Sequence, residues 1–349
     1  MIGDKNNLEF LVTLWPTFPH FKRFALDNRL SGVRLNSAMI KVDELDNELD
    51  TANSAVGHVP LYFDIKGRQL RVTEVMPCKD HLELKLNHKI KVDTPTMVLF
   101  KAAADRALLD RIEDGDKLIF KGGPEYMVYP GESLHIRDPD LEVQGDLFTE
   151  QEKKKIEKAK KAGFNRFFLS YVESQKDIDE FREYVGDSYV IAKIENKKGL
   201  SYVQNEFQQR DNLNLMAATG DLYVEVDKPH EILQAMKLII QKDPKGYVGS
   251  RILLSVIHDP VPSMSDLAHL GWLYEIGYRR MMLCDELCLK ENLLGRAVNV
   301  LESFRNSYSQ PIPSYSIERK SPIIDPSTLP GKIKPVYRMP LLPKLFSRR

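Results

Sequence analysis

The sequence predicts an α/β fold, a (β/α)8 TIM barrel with a small β subdomain inserted after its third strand. Strand-like and helix-like segments alternate through most of the 349 residues, which is typical of a parallel α/β fold. The alternation yields eight strands and is interrupted once, between residues 67 and 147. Charged or hydroxyl residues stand at or near the ends of several strands, where the chemistry of such barrels gathers.

The first part of the barrel, residues 1–66, contains three predicted strands and two predicted helices. Apolar runs indicate the strands, and apolar residues at helical spacing indicate the helices. The strands are predicted at Glu9–Leu14, Gly32–Asn36 and Pro60–Asp64, and the helices near Phe18–Asn28 and Asp43–Ser54.

Residues 67–147 form the predicted insertion, a small β subdomain. Short β-like pieces are separated here by turn signals at Glu113–Asp116, Gly122–Pro124 and Pro130–Gly131. We therefore expect a small β subdomain that leaves the barrel after the third strand and returns before the fourth.

The second part of the barrel covers residues 148–306. Thr149 and Glu152 have the spacing of a capping box, so a helix should follow through Ala162. Five strands are predicted at Arg166–Ser170, Tyr189–Ile194, Leu213–Ala217, Val248–Val256 and Arg280–Cys284. The helices between and after them are predicted at Gln175–Val185, within Leu200–Gln209, and at Pro229–Gln241, Met264–Ile276 and Lys290–Ser303.

Residues 307–349 form a predicted extended tail. From Pro311 to Arg349 there are eight basic residues, two acidic residues and eight prolines, so this stretch carries +6 and the remainder of the neutral chain carries −6. Proline excludes the interior of a helix or sheet. We expect the tail to dock on the barrel, on a second subunit or on an acidic partner.

Composition narrows the class of protein. No apolar stretch approaches the length of a membrane span, and the N-terminus lacks a basic-then-apolar leader, so a soluble cytoplasmic protein is expected. Three cysteines make a disulfide framework improbable on compositional grounds. The pair Cys284 and Cys288 is compatible with a reactive dithiol or with two ordinary buried thiols.

A lysine and a glutamate stand two residues apart at the end of an apolar β run. Alternate residues of a strand face the same side, so Lys193 and Glu195 should project into one site. Asp221 ends another short apolar run and supplies a second carboxylate. Two such carboxylates offer the hard oxygen ligands that Mg²⁺ prefers, and a cation beside them indicates phosphate or enolate chemistry.

Several motifs together resemble pyruvate kinase. They are A-K-I-E-N (192–196), G-D-L (220–222), G-V-R-L-N (32–36), F-D-I-K-G-R-Q-L-R (63–71), S-R-I-L-L-S-V-I-H-D-P-V-P (250–262) and M-M-L-C-D-E (281–286), where the family has M-L-S-G-E. The resemblance runs from about Leu8 to Arg305 and weakens between residues 72 and 147. It implies phosphoryl transfer from phosphoenolpyruvate to ADP; we also expect a homo-oligomer.

The resemblance also implies roles for individual residues. Glu195 and Asp221 would bind Mg²⁺, or Mn²⁺ in its place. Lys193, Arg34 and Ser250 would be catalytic, and Arg71 and Asn36 would lie on the nucleotide side. The substrate would be bound by Arg34, Thr219, Gly220, Asp221 and Ser250. Two plainer interpretations stay open, namely a salt bridge between Lys193 and one of the carboxylates, and an ordinary surface arginine at Arg71.

This chain departs from the family pattern at several positions. Ala38 and Ile65 replace hydroxyl residues of the family's monovalent-cation site, so only Asn36 and Asp64 remain as candidate K⁺ ligands and K⁺ binding is in doubt. Thr219 replaces an arginine, Tyr223 and Trp15 replace glycines, and an acidic residue of the lid turn is lost near Lys121–Gly123.

Three functions remain open from the sequence. The first is a divergent pyruvate-kinase-like, Mg²⁺-dependent phosphotransferase acting on phosphoenolpyruvate or pyruvate with a nucleotide. The second is a Mg²⁺-dependent lyase or decarboxylase that forms the enolate of an α-keto acid on a related barrel. The third is a non-catalytic scaffold that works through its basic tail, against which the intact set of Lys193, Glu195 and Asp221 argues.

Overall fold

The computed structural model of the chain describes residues 8–55, 57–308 and 310. The chain divides into two units, Met1–Ser309 and Gln310–Arg349, and the elements below belong to the first. The predictions for the proline-rich stretch at 311–349, including its docking, lie outside the described residues.

The first part of the barrel has the predicted order of elements. It consists of β1 (Glu9–Thr13), α1 (Phe21–Ala25), β2 (Gly32–Asn36), α2 (Leu45–Ala55) and β3 (Leu61–Ile65), with a 3₁₀ turn at Ser37–Met39. Helix α1 is shorter than predicted. The Asp27 carboxylate accepts a hydrogen bond from the backbone N–H of Arg29 at 3.0 Å, and this local turn replaces further helical bonds.

The segment after β3 folds into small antiparallel sheets. Its strands are β4 (Val72–Pro77), β5 (Leu82–Leu86), β6 (Lys89–Lys91), β7 (Thr96–Phe100), β8 (Asp105–Leu109), β9 (Arg111–Glu113), β10 (Lys117–Phe120), β11 (Leu134–Ile136) and β12 (Glu142–Gln144). They pair in the orders β4-β5-β10-β9, β11-β7-β8 and β12-β6. Alternate apolar residues, among them Leu84, Phe100 and Leu118, form a core separate from that of the barrel. We refer to this unit as the lid.

The second part of the barrel returns to strand and helix alternation. Its elements are α3 (Glu150–Lys161), β13 (Arg166–Leu169), α4 (Gln175–Val185), β14 (Tyr189–Ile194), α5 (Lys197–Asn205), β15 (Leu213–Ala218), α6 (Thr219–Glu225), α7 (Glu231–Lys242), β16 (Tyr247–Gly249), α8 (Met264–Glu275), β17 (Arg280–Met282), α9 (Asp285–Cys288) and α10 (Glu291–Ser307). The capping box of Thr149 and Glu152 is present at the start of α3.

Eight parallel strands close into a barrel in the order β1-β17-β16-β15-β14-β13-β3-β2, which confirms the predicted fold class. Apolar side chains such as Leu11, Phe168 and Met216 form a cluster of their own. A larger cluster combines strand residues, for example Val12 and Val190, with residues from the helices. The carboxyl ends of the strands therefore meet at one mouth of a packed barrel.

The strand predicted at Val248–Val256 is wrong in its extent. It ends at Gly249, because Ser250, Arg251 and Leu253 have φ values of 66°, 50° and 56°. A left-handed backbone cannot continue the hydrogen-bond ladder of a β-strand, and in non-glycine residues it is stable only where the surrounding structure enforces it. A 3₁₀ turn at Leu254–Ile257 follows. Ser250 is therefore presented by a loop at the barrel mouth.

Helix α5 begins at Lys197, before the predicted Leu200. The Asn196 side chain caps it by accepting a hydrogen bond from the Gly199 N–H at 2.8 Å, and this cap directly follows Glu195. Within the described parts of the chain, no helix has both the length and the apolar character needed to cross a membrane.

Candidate active site

A cavity of about 410 Å³ opens at the barrel mouth, between the strand ends and the lid. It is lined by eight of the ten residues that the sequence singles out, namely Arg34, Asn36, Arg71, Lys193, Glu195, Gly220, Asp221 and Ser250. The other two lie beside it. Asp64 is fully buried and contacts Arg34, while the Thr219 hydroxyl donates to the Gly249 carbonyl at 2.8 Å.

Lys193 and Glu195 project from the end of β14 as the two-residue spacing predicts. Lys193 Nζ lies 2.8 Å from Glu195 Oε1 and donates to the Ser170 hydroxyl at 2.9 Å. The other glutamate oxygen accepts the Tyr171 N–H at 2.7 Å. The salt bridge that the sequence left open is thus present. Burial lowers the pKa of Lys193, but Glu195 and Asp64 outweigh it, so the ammonium stays charged at neutral pH.

The Glu195 carboxylate is completely buried. Burial raises its pKa, and the ammonium of Lys193 opposes this. Its Oε1 atom lies against the Lys193 ammonium, 2.8 Å from Nζ. A buried carboxylate is costly unless cations lie against it, and Lys193 supplies one of them.

Asp221 lies in the first turn of α6 and meets a histidine from the lid. His135 Nε2 is 3.4 Å from Asp221 Oδ1, and His135 Nδ1 contacts Glu225 Oε1 at 2.7 Å and the Tyr171 hydroxyl at 3.2 Å. Burial would lower the pKa of His135, but Asp221 and Glu225 raise it to about 9. Burial by itself would raise the pKa of Asp221, but the His135 imidazolium holds the pKa of that carboxyl below its usual range.

His135 is a site residue that sequence reasoning missed. It is 2% exposed and lies on β11 of the lid, 86 positions before Asp221. The signal in the sequence is weak, since it consists of one polar residue within the apolar piece Leu134–Ile136. Only the packing of the lid on α6 brings this imidazole to the carboxylate.

Arg34 is held by two carboxylates. Its guanidinium forms a buried ion pair with Asp64 and a second one with Asp285, where Nη1 and Oδ1 are 2.8 Å apart. Nη1 also donates to the Thr13 hydroxyl at 3.0 Å. Burial opposes the arginine charge, but these two carboxylates hold its pKa above the usual value. Asp285 was not predicted as a site residue, although it occupies the glycine position of the family's M-L-S-G-E.

Both candidate K⁺ ligands are already engaged. Asp64 Oδ2 contacts Arg34 and also lies 2.7 Å from Lys66 Nζ. Asn36 accepts the Ala38 N–H at 3.2 Å and donates to Asp285 Oδ2 at 2.9 Å. Burial lowers the pKa of Lys66, and Asp64 opposes that effect. Two side-chain cations thus surround the carboxylate that would bind K⁺.

Two further arginines line the cavity without a carboxylate in ion-pair contact among the described residues. Arg71 Nε donates to Gln69 Oε1 at 2.9 Å, and its Nη1 donates to the Gly131 carbonyl. The Arg251 guanidinium lies over the Tyr223 ring, 4.7 Å from the centroid. These contacts are neutral, so both cations remain able to bind an anionic ligand. The structure thereby places Arg71 in the cavity.

The start of α6 packs closely against the loop after β16. A Cβ added to Gly220 would lie 3.3 Å from the Ser250 Cβ and 3.4 Å from its Oγ. Glycine therefore permits the close approach that brings the Gly220 backbone and the Ser250 hydroxyl to the same cavity wall.

The donor set of the cavity fits a hard divalent cation. Glu195 and Asp221 both line the cavity, and their carboxylate oxygens are the ligand type of Mg²⁺ and Mn²⁺. A resident cation of this class would relieve the cost of burying two carboxylates side by side.

Comparisons with known proteins find similarity to pyruvate kinases. The family model for the pyruvate kinase barrel domain matches residues 131–283. Pyruvate kinase of Methanocaldococcus jannaschii is 26% identical over 309 residues, which is 82% of this chain and 66% of that protein. Pyruvate kinase of Thermoplasma acidophilum is 23% identical over 284 residues, 75% of this chain and 51% of that protein. The chain thus spans between half and two thirds of the length of these relatives.

Proposed function

We propose that this chain is a member of the pyruvate kinase family and a Mg²⁺-dependent phosphotransferase acting on phosphoenolpyruvate or pyruvate with a nucleotide. The observation that carries the proposal is the convergence of Arg34, Lys193, Glu195 and Asp221 on one cavity. Metal carboxylates, a buried ammonium and a guanidinium are what phosphoryl transfer requires, because the protein contributes mainly positioning and charge stabilisation.

Glu195 and Asp221 would hold the Mg²⁺ ion. When bound, this ion neutralises negative charge on the phosphoryl and enolate oxygens. Lys193 would stabilise charge that develops on the same oxygens, and its raised pKa keeps it cationic for that role. Arg34 would bind the phosphoryl group with its planar guanidinium. To do so, its Nη1 must first release the Asp285 carboxylate.

The remaining cavity residues would position the substrate and handle the proton. The backbone amides of Thr219, Gly220 and Asp221 would bind the substrate carboxylate. As the bond between phosphorus and the enol oxygen breaks and a bond to the acceptor oxygen forms, the enolate carbon must take a proton. The Ser250 hydroxyl lies at the cavity wall and would help to relay this proton from solvent.

The phosphoryl acceptor would lie on the side of Arg71, whose guanidinium contacts only neutral groups among the residues that the structure describes. An anionic acceptor such as a nucleoside diphosphate suits this cation. Asn36, the second residue expected there, is engaged with Ala38 and Asp285. That engagement favours the alternative in which the same enolate site serves a lyase or decarboxylase of an α-keto acid without any nucleotide.

A coupled assay of pyruvate formation distinguishes these functions. Phosphoenolpyruvate and Mg²⁺ are supplied with ADP, with GDP or with no nucleotide. The phosphotransferase requires a nucleotide, whereas Mg²⁺-dependent deuterium exchange into pyruvate without nucleotide supports the lyase or decarboxylase. If neither pyruvate formation nor deuterium exchange is detected under any condition, the non-catalytic scaffold is the function that remains.

Lys193→Met supplies the matching variant. Removing a contact that stabilises the transition state should cost about 10²–10³ in rate. Lys197→Met, at an exposed lysine four residues further along, removes the same charge outside the cavity and should leave the rate unchanged. Equal rates for both variants would contradict the proposed chemistry.

A further inference from the structure

The hairpin formed by β4 and β5 of the lid brings three metal-ligating side chains together. The donor atoms of Cys78, His81 and Glu83 all lie within 4.8 Å of one another. None of the three lines the cavity at the barrel mouth. This cluster, which we call the hairpin cluster, is therefore separate from the proposed phosphotransferase site.

The hairpin geometry explains why the three side chains converge. The strands pair with Pro77 opposite Leu82 and Met76 opposite Glu83. The Cys78 N–H donates to the His81 carbonyl at 3.0 Å and closes the tight turn between them. His81 and Glu83 are two residues apart, so they share a face of the extended chain. The His81 Nε2 atom lies 2.8 Å from Glu83 Oε1.

We propose that the hairpin cluster is a binding site for Zn²⁺. A thiolate, an imidazole and a carboxylate are the three ligand types that zinc uses in proteins, and the thiolate disfavours Mg²⁺. Cys78 is exposed, and His81 and Glu83 are partly exposed, so an ion can enter. On binding, the Cys78 S–H bond gives way to a sulfur–zinc bond and its proton passes to solvent. Three protein ligands leave the fourth position to water.

Lys117 supports the arrangement and supplies a control. Its ammonium lies 2.8 Å from Glu83 Oε2 and 3.3 Å from Glu113 Oε2. Glu83 thus meets the lysine with one oxygen and His81 with the other. When zinc binds, Lys117 can keep its contact with Glu113. Glu113 is the matched carboxylate, because it shares the lysine but lies outside the hairpin cluster.

The test uses the full chain without a polyhistidine tag, in excess Mg²⁺ so that the proposed active-site carboxylates are occupied. Co²⁺ is titrated as a spectroscopic probe and then displaced by Zn²⁺. We expect one Co²⁺ per chain with a thiolate charge-transfer absorption, and displacement by one Zn²⁺. No such absorption from the unmodified chain would overturn the proposal.

The variants assign the ligands. Cys78→Ser should remove the charge-transfer absorption and weaken Zn²⁺ binding by at least about 100-fold, since loss of a direct ligand exceeds the usual cost of losing an outer partner. Glu83→Gln should weaken it by about 10-fold or more, and Glu113→Gln should leave it unchanged. Thermal melting verifies that each variant is folded. Unchanged affinity in Cys78→Ser, or equal affinities for the two glutamate variants, would refute the three-ligand site.

Discussion

Replacing Asp285 with asparagine should strengthen the binding of phosphoenolpyruvate. The carboxylate now holds the guanidinium that the substrate phosphate would need, with Arg34 Nη1 and Asp285 Oδ1 2.8 Å apart. A bound phosphate must displace this contact and would then lie near a like charge. The asparagine side chain keeps the shape and a hydrogen-bond acceptor but removes the competing charge. Arg34 retains its buried partner Asp64, so the fold should persist.

The expected gain follows from the geometry of the ion pair. Unit charges at 2.8 Å interact by about 1.5 kcal/mol in water and by about 6 kcal/mol at an effective dielectric constant of about 20. The Asp285 side chain is 37% exposed, so solvent screening favours the lower figure. A difference of about 1.4 kcal/mol corresponds to a tenfold change in Kd. We therefore expect phosphoenolpyruvate to bind about tenfold more tightly.

Isothermal titration calorimetry with phosphoenolpyruvate in the presence of Mg²⁺ measures this change. Glu286→Gln is the matched control, because the neighbouring residue loses the same charge but is exposed and forms no ion pair among the described residues. Its Kd should change far less. Equal effects of the two substitutions would mean that general electrostatics dominates, and weaker binding by Asp285→Asn would refute the competition for Arg34. The absence of binding to the unmodified chain would contradict the proposed function itself.

Three further predictions address the metal, the monovalent cation and the thiols. Glu195→Gln and Asp221→Asn should each raise the Mg²⁺ concentration needed for thermal stabilisation and activity. Unchanged Mg²⁺ titrations for both variants would mean that the two carboxylates form ion pairs within the protein and do not bind the metal. Exchanging Na⁺ for K⁺ should change activity little, because Arg34 and Lys66 already neutralise Asp64, and a steep K⁺ activation curve would contradict this. At about pH 8 one thiol per native chain should be alkylated, since burial raises the pKa of the other two, and labelling of all three before unfolding would oppose it.

The sequence alone predicted the features that depend on local periodicity. Alternating apolar runs located the barrel strands and the interruption by the lid, because a buried face of a strand or helix requires apolar residues at regular intervals in the sequence. The two-residue spacing placed Lys193 and Glu195 on one side of β14, and capping chemistry located the start of α3. The same argument brought most of the predicted site residues to one mouth, since parallel strands end together.

The tertiary structure decided the contacts that join distant parts of the chain. The ion pair between Arg34 and Asp285 spans 251 positions, and it exists because barrel closure sets β17 beside β1 and β1 beside β2. His135 reaches Asp221 only because the lid packs against α6. The end of β16 at Gly249 depends on left-handed residues that no apolar pattern reveals. Periodicity reports which face of an element is buried, whereas the partner across that face is set by how the elements pack.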